Sequence, residues 1–162
     1  MSFVATPPPG ALAAVATGVI GAGWLSGTIA NFSIIGMPTA QSIPQSALEI
    51  WHGMFTRGMA AMPKVAGTVA LAYAYAAYDS HSRGASWKGY LTAAALVVSI
   101  VPFTIVFMTP TNNTLLAAVS GQSVLSQATL SELIQKWSFL NITRSFLPLL
   151  GAATGFVSFL RN

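Results

Sequence analysis

The chain carries no ionised side chain before Glu49, so its whole first stretch must fold without a single charge to hold it in water. About a quarter of the residues of an ordinary globular chain are charged. Here the share is 6% of 162 residues, against 54% hydrophobic, and three acids with seven bases cannot solvate a folded surface of that size. The chain is therefore predicted to live in lipid. Helices suit that solvent because each one pairs its own backbone amides.

Four runs are long enough to cross hydrocarbon, which takes roughly 20 residues. They cover about 11–36, 51–78, 87–109 and 137–160. The expectation is a single membrane domain, 1–162, built as an all-α, integral membrane four-helix bundle with both termini on the same side. Residues 37–45, 79–86 and 109–128 read as the connections. The N-terminus has no basic residue ahead of its apolar run, so that run is taken as a retained first span and not a cleaved signal.

Details inside the runs suggest how they pack. Gly18, Ala22, Ser26 and Ala30 recur every four residues, with Gly23 and Gly27 beside them, a spacing that lets helices approach closely in lipid. Pro63 falls mid-span and should kink its helix. Ser42 with Gln45, and Thr129 with Glu132, have capping-box spacing, and Glu132 with Lys136 forms an i,i+4 charge pair. Tyr78, Trp87 and Tyr90 read as an aromatic belt at one interface, with Trp51 and Trp137 at the other. Arg83, Lys88 and Arg161 fall on the side of the termini and Lys136 on the other, which by the positive-inside rule places the termini in the cytosol.

Several function classes fall away. The net charge of +4 comes from bases spread singly, not from a basic patch, so no nucleic-acid partner is expected. Cysteine is absent, which removes disulfide exchange, thiolate catalysis and Cys-ligated metal. The two histidines lie on opposite sides of the predicted membrane, so no metal site is expected. Phosphate loops, nucleophile elbows and dinucleotide fingerprints are missing.

The polar residues that remain gather at one depth. The second span starts, the third ends and the fourth starts near the same face, which brings His52, Arg57, Asn112, Asn113, Asn141 and Arg144 into one slab, with Asn31 at the end of the first span. Trp137, Asn141 and Arg144 fall on one helical stripe. Arg57 and Lys64, seven apart, share another, with Lys64 two turns deeper. Ionisable groups inside spans are costly and usually face a bundle interior or a cavity. Surplus cations there suit an anionic ligand such as a phenolate, an enolate or a carboxylate.

With these residues collected, the chain resembles the fungal anthrone oxygenases, small membrane proteins of aromatic polyketide pathways. The resemblance rests on Trp51-His52-Gly53-Met54-Phe55-Thr56-Arg57-Gly58 with Pro63, on Pro102-Phe103-Thr104 leading to Met108-Thr109-Pro110-Thr111-Asn112-Asn113-Thr114-Leu115, and on Trp137 with Asn141, Arg144, Pro148 and Gly151. It implies oxidation of an anthrone to an anthraquinone by molecular oxygen, with no cofactor. Under that reading His52, Arg57, Asn112 and Arg144 are the catalytic candidates, with His52 one candidate for the base and the base itself left open. Lys64, Asn113, Trp137, Asn141, Trp51 and Asn31 are the candidates for substrate binding. The implied partners are a lipophilic aromatic substrate and the bilayer, with homo-oligomerisation or association with other pathway enzymes left open. The implied location is an endomembrane, the endoplasmic reticulum or vesicles. The competing reading is a non-catalytic scaffold or carrier for a lipophilic aromatic, and a small transporter is the third.

Overall fold

A computed structural model describes residues 6–162; the first five residues of the predicted domain lie outside them. Four long helical rods account for most of the chain: α1 (Pro9–Gln41), α2 (Ala47–Ser82), α3 (Lys88–Val119) and α4 (Gln127–Leu160). No strand occurs among the described residues. α1, α3 and α4 are each long and apolar enough to cross a membrane. α2 has the length, at 36 residues, but interrupts its apolar sequence with Glu49, Arg57, Lys64 and Asp79.

All three predicted connections prove to be partly helix, the one over 79–86 as far as Ser82. The segment expected as a loop over 37–45 continues α1 as far as Gln41, and the expected connection over 109–128 is helical as far as Val119. The same device operates in both. α1 widens into a π-turn at Phe32–Gly36 and α3 into another at Thr104–Met108, each ending two residues before a proline, Pro38 and Pro110. Inside a helix, a proline ring collides with the carbonyl four residues back and leaves it without its donor. Those carbonyls belong to Ile34 and Val106, both within the wide turns, where the backbone has room for the ring. The polar residues after each proline then follow helical geometry instead of breaking it.

The predicted caps move as well. α2 starts at Ala47 after Ser46, without a side-chain cap, so Ser42 and Gln45 lie upstream of it. α4 starts at Gln127, because the Ser126 hydroxyl accepts from the Thr129 amide at 3.1 Å.

α1 packs against α2 and α4, and α3 closes the ring against the same two. Tyr73 of α2 occupies the centre of one core, fully buried, in space that glycines leave open. A Cβ on Gly18 of α1 would stand 2.6 Å from its ring, and Gly155 of α4 faces the same ring. The Tyr73 hydroxyl donates to the Gly151 carbonyl at 3.2 Å. Of the predicted small-residue stripe, Gly18, Ala22 and Ser26 are buried, whereas a Cβ on Gly23 or Gly27 would meet open space. A second core gathers Met37, Trp51, Met108, Leu115, Ile134 and Trp137. Trp51 and Trp137, expected in an interfacial belt, are enclosed here in an edge-on contact with ring centres 6.2 Å apart, and Phe55 stacks on Trp51 at 5.0 Å. Tyr90 likewise is buried, so of the other expected belt only Tyr78 is well exposed.

Candidate active site

A cavity of about 290 Å³ borders both cores, through Ile29 and Ile100 of one and Met108 and Trp137 of the other. α2 supplies Met54, Gly58 and Met62 on one row, with Phe55, Met59 and Pro63 on the next, an inward face of helical period. The second wall comes from α3, through Ile100, Val101, Thr104, Ile105, Met108 and Asn112. Ile29 and Phe32 of α1 and Trp137 and Arg144 of α4 complete it. Both π-turns therefore border this space, one through Phe32 and the other through Thr104, Ile105 and Met108.

The polar groups concentrate on the α4 side. The Arg144 guanidinium is held from two directions: Nη1 donates to Thr104 Oγ1 at 2.8 Å and Nη2 to Asn141 Oδ1 at 2.7 Å. Thr104 donates its own proton to the Ile100 carbonyl at 2.8 Å, which leaves its oxygen free to accept from arginine. Asn141 is fully buried, and its amide donates to the Ile29 carbonyl at 2.7 Å and to Ser33 Oγ at 2.9 Å. One asparagine thus ties α1 to the guanidinium of α4. Next to this network, Trp137 Nε1 donates to Asn112 Oδ1 at 3.0 Å and sets the asparagine's orientation.

The charge of Arg144 has no counterion among the described residues. Among the described residues the direct ion pair is Arg83 with Asp79, elsewhere in the molecule. Arg144 Nε is enclosed and makes no hydrogen bond, although a guanidinium has five N–H donors to place. A partly buried cation fixed by neutral acceptors beside an apolar cavity is a preorganised site for negative charge.

The structure brings some of the sequence candidates together and leaves others apart. Asn112, Trp137 and Arg144 line the cavity, Asn141 sits directly behind Arg144, and Trp51 is packed on Trp137. His52, Arg57, Lys64, Asn113 and Asn31 are not part of the lining. Arg57 and Lys64 do share a face, as their spacing requires, but it is the exposed one. At ~100° per residue they fall well away from the row of Met54, Gly58 and Met62 and nearly opposite the row of Phe55, Met59 and Pro63. Asn31 and Asn113 are exposed as well, and His52 is half-buried at the edge of the inward face. Thr104 and Ser33 were missed as candidates, and so was the methionine-rich face of α2. The spacing of Met54, Gly58 and Met62 was a legible signal for that face; nothing local in the sequence pairs Thr104 with Arg144.

The geometry defines a class: a helical protein, three of whose helices suit a membrane, with an apolar cavity ending at an uncompensated arginine. The family model described as anthrone oxygenase matches residues 51–154. The chain is 36% identical over 152 residues to anthrone oxygenase dmxR16 of a Cryptosporiopsis species, covering 89% of this chain and 86% of that one. It is 34% identical to monooxygenase hypC of Dothistroma septosporum, covering 83% and 76% of the two chains. It is 32% identical to anthrone oxygenase tpcL of Aspergillus fumigatus, covering 91% and 93%. No solved structure matches. The chain belongs to the anthrone oxygenase family.

Proposed function

We infer that the protein is an oxygenase that converts an anthrone of an aromatic polyketide pathway to the anthraquinone, with molecular oxygen as co-substrate and no cofactor. The observation that carries the site reading is Arg144: a guanidinium without a carboxylate, in the wall of an apolar cavity, held by Thr104 and Asn141. An anthrone is acidic at its central methylene because its conjugate base is an aromatic phenolate. A fixed cation beside that oxygen favours the anion, and so favours ionisation. The anion passes one electron to oxygen, the resulting radical and superoxide combine at the former methylene carbon, and the peroxide loses water to leave the quinone carbonyl. One anthrone and one oxygen molecule thus give one quinone and one water.

In this scheme Arg144 stabilises the oxyanion, Asn112 presents its amide to an oxygen of the bound ligand, and Trp137 and Asn141 position the two. The cavity is close to the lower limit of ligand pockets, roughly 300 Å³, a size that suits a flat tricyclic molecule. α2 acts as a fourth span, so that the rods form a four-helix membrane bundle with both ends on the cytosolic side of an endomembrane. Support for the common side comes from the far end of the molecule, where Pro7, Arg83 and Asn162 border one cavity and the Asn162 side chain bonds the backbone of Ser86. Counted from Lys88 at 1.5 Å per residue, Asn112 lies ~36 Å away, close to the opposite membrane face, where a released proton reaches water.

Purified protein in lipid, given a hydroxylated anthrone and oxygen, should form quinone well above the spontaneous rate, and should keep doing so after chelation and removal of flavin. One observation favours the second reading, a carrier without catalysis: among the described residues, no carboxylate or imidazole lines the cavity. That reading is supported if the protein binds the anthrone tightly and leaves its oxidation rate unchanged.

A further inference from the structure

The cavity described above has two unlike ends. Its inner wall is closed: Ile29, Met108 and Trp137 are almost completely buried there, next to Asn112 and Arg144. At the other end, residues that border the same cavity are also exposed on the outside of the molecule. Met59 is 53% exposed, Val101 50% and Ile105 63%, and Pro63 belongs to the same rim. All four are apolar. The opening lies between α2 and α3, on the flank of the molecule and away from the ends of the helices.

The backbone explains the gap. α2 packs against α3 over Lys88–Val98, and again over Thr109–Val119, but not comparably over the stretch between. That stretch holds Pro102 and the π-turn Thr104–Met108, while Pro63 interrupts the hydrogen-bond ladder of α2 on the facing side. Proline kinks and π-turns bend helices or offset their faces. Here they fall where the two helices part. At 1.5 Å per residue, Val101 and Ile105 lie ~20–26 Å along α3 from Lys88, within the reach of a hydrocarbon layer ~30 Å thick. An aqueous mouth at this depth would need polar residues to hold water, and this rim has none.

We propose that the cleft between α2 and α3 is a lateral portal, through which a lipophilic aromatic passes from the bilayer into the cavity, with Met59, Pro63, Val101 and Ile105 as its rim. The proposal rests on reading the cavity as the aromatic-substrate site. The rim then selects for molecules that partition into hydrocarbon, before any contact with Arg144. Met59 suits a passage of varying width, since an unbranched thioether side chain repacks at little cost. The substrate's oxygens travel last or first depending on its orientation, and only an orientation that leads with an oxygen delivers it to the guanidinium at the closed end.

The test uses the absence of cysteine from the chain, which makes single-site labelling clean. Full-length Ile105→Cys and, separately, Val101→Cys are reconstituted in nanodiscs and modified with N-benzylmaleimide. Each is compared with its own unlabelled form. Ile20→Cys, 71% exposed on α1 and away from the cavity, is the control. Two signals are read: quinone formation from a membrane-dissolved anthrone, and quenching of tryptophan fluorescence by the anthraquinone as a binding probe. Labelling at 105 or 101 should slow both turnover and the binding on-rate by about tenfold or more, as expected for an obstructed gate, and the control by less than about twofold. Labelled rims that bind and turn over as fast as their unlabelled forms would overturn the portal, even with the oxidation itself intact. If the protein oxidises no anthrone but rim labelling still slows binding of the quinone, the portal stands and the catalytic reading fails.

Discussion

Two cavities of nearly equal size, about 290 Å³ each, lie towards opposite ends of this protein, and each has an arginine in its wall. They differ in what the arginine faces. Near the chain ends Arg83 is paired with Asp79 at 2.7 Å, with Tyr90 and Asn162 bordering the same space. In the other cavity Arg144 is held by a threonine and an asparagine, neutral acceptors that fix its direction and leave its charge unspent. Volume does not tell the two apart. Charge balance does: a neutralised pair stabilises a helix end, while an uncompensated cation in apolar surroundings favours an anion.

The most direct way to break the contrast is Arg144→Ala. Loss of a preorganised donor to a developing oxyanion typically costs about 10²–10³-fold in rate, and quinone formation should fall by that order while helical circular dichroism stays the same. Asn141→Asp is subtler: it places a carboxylate where Arg144 now meets an amide, and so imitates the arrangement at the far end. Turnover should fall by a comparable factor although the protein remains folded. A variant that kept its rate would show that the uncompensated charge is not what matters.

Trp137→Phe removes the donor that orients Asn112. One hydrogen bond is worth about 0.5–1.5 kcal/mol, so turnover should drop by about 2-fold to 13-fold, with the loss checked by steady-state kinetics. At the opposite end, Asp79→Asn leaves Arg83 short of its carboxylate. The expected result is a lower thermal midpoint, from a loss of about 1–3 kcal/mol, with quinone formation changed by less than about twofold. The smallest effect belongs to Lys64→Met on the outward face of α2, where surface substitutions usually stay within about 0.5 kcal/mol and the rate should be unchanged.

Much of this was legible from residue types and spacing. Trp137, Asn141 and Arg144 fall on one stripe because helical period demands it, and the structure keeps them together. Period alone did not say which of two stripes on α2 faces inward. The cationic pair Arg57 and Lys64 was expected inside on the argument that charge avoids lipid, yet the row of Met54, Gly58 and Met62 takes that position. The inward face of a helix is chosen by packing against its neighbours, and the absence of a side chain at Gly58 leaves room for the Phe32 ring of α1, 3.3 Å from where a Cβ would stand. The loops expected around Pro38 and Pro110 failed for a local reason. A proline stops a regular α-helix, but a turn widened by one residue lets the helix continue past it.

The sequence by itself determined that the chain is helical, that most of it suits lipid, and that Trp137, Asn141 and Arg144 share one helical stripe. Those properties follow from composition and period, which act along a single segment. Only the tertiary structure decided that Thr104 meets Arg144, that Asn141 reaches back to α1, and that Arg144 lacks the counterion Arg83 has. These are relations between segments distant in the chain. They depend on the rotation and offset of each helix, which the prolines and π-turns set and which no single segment specifies.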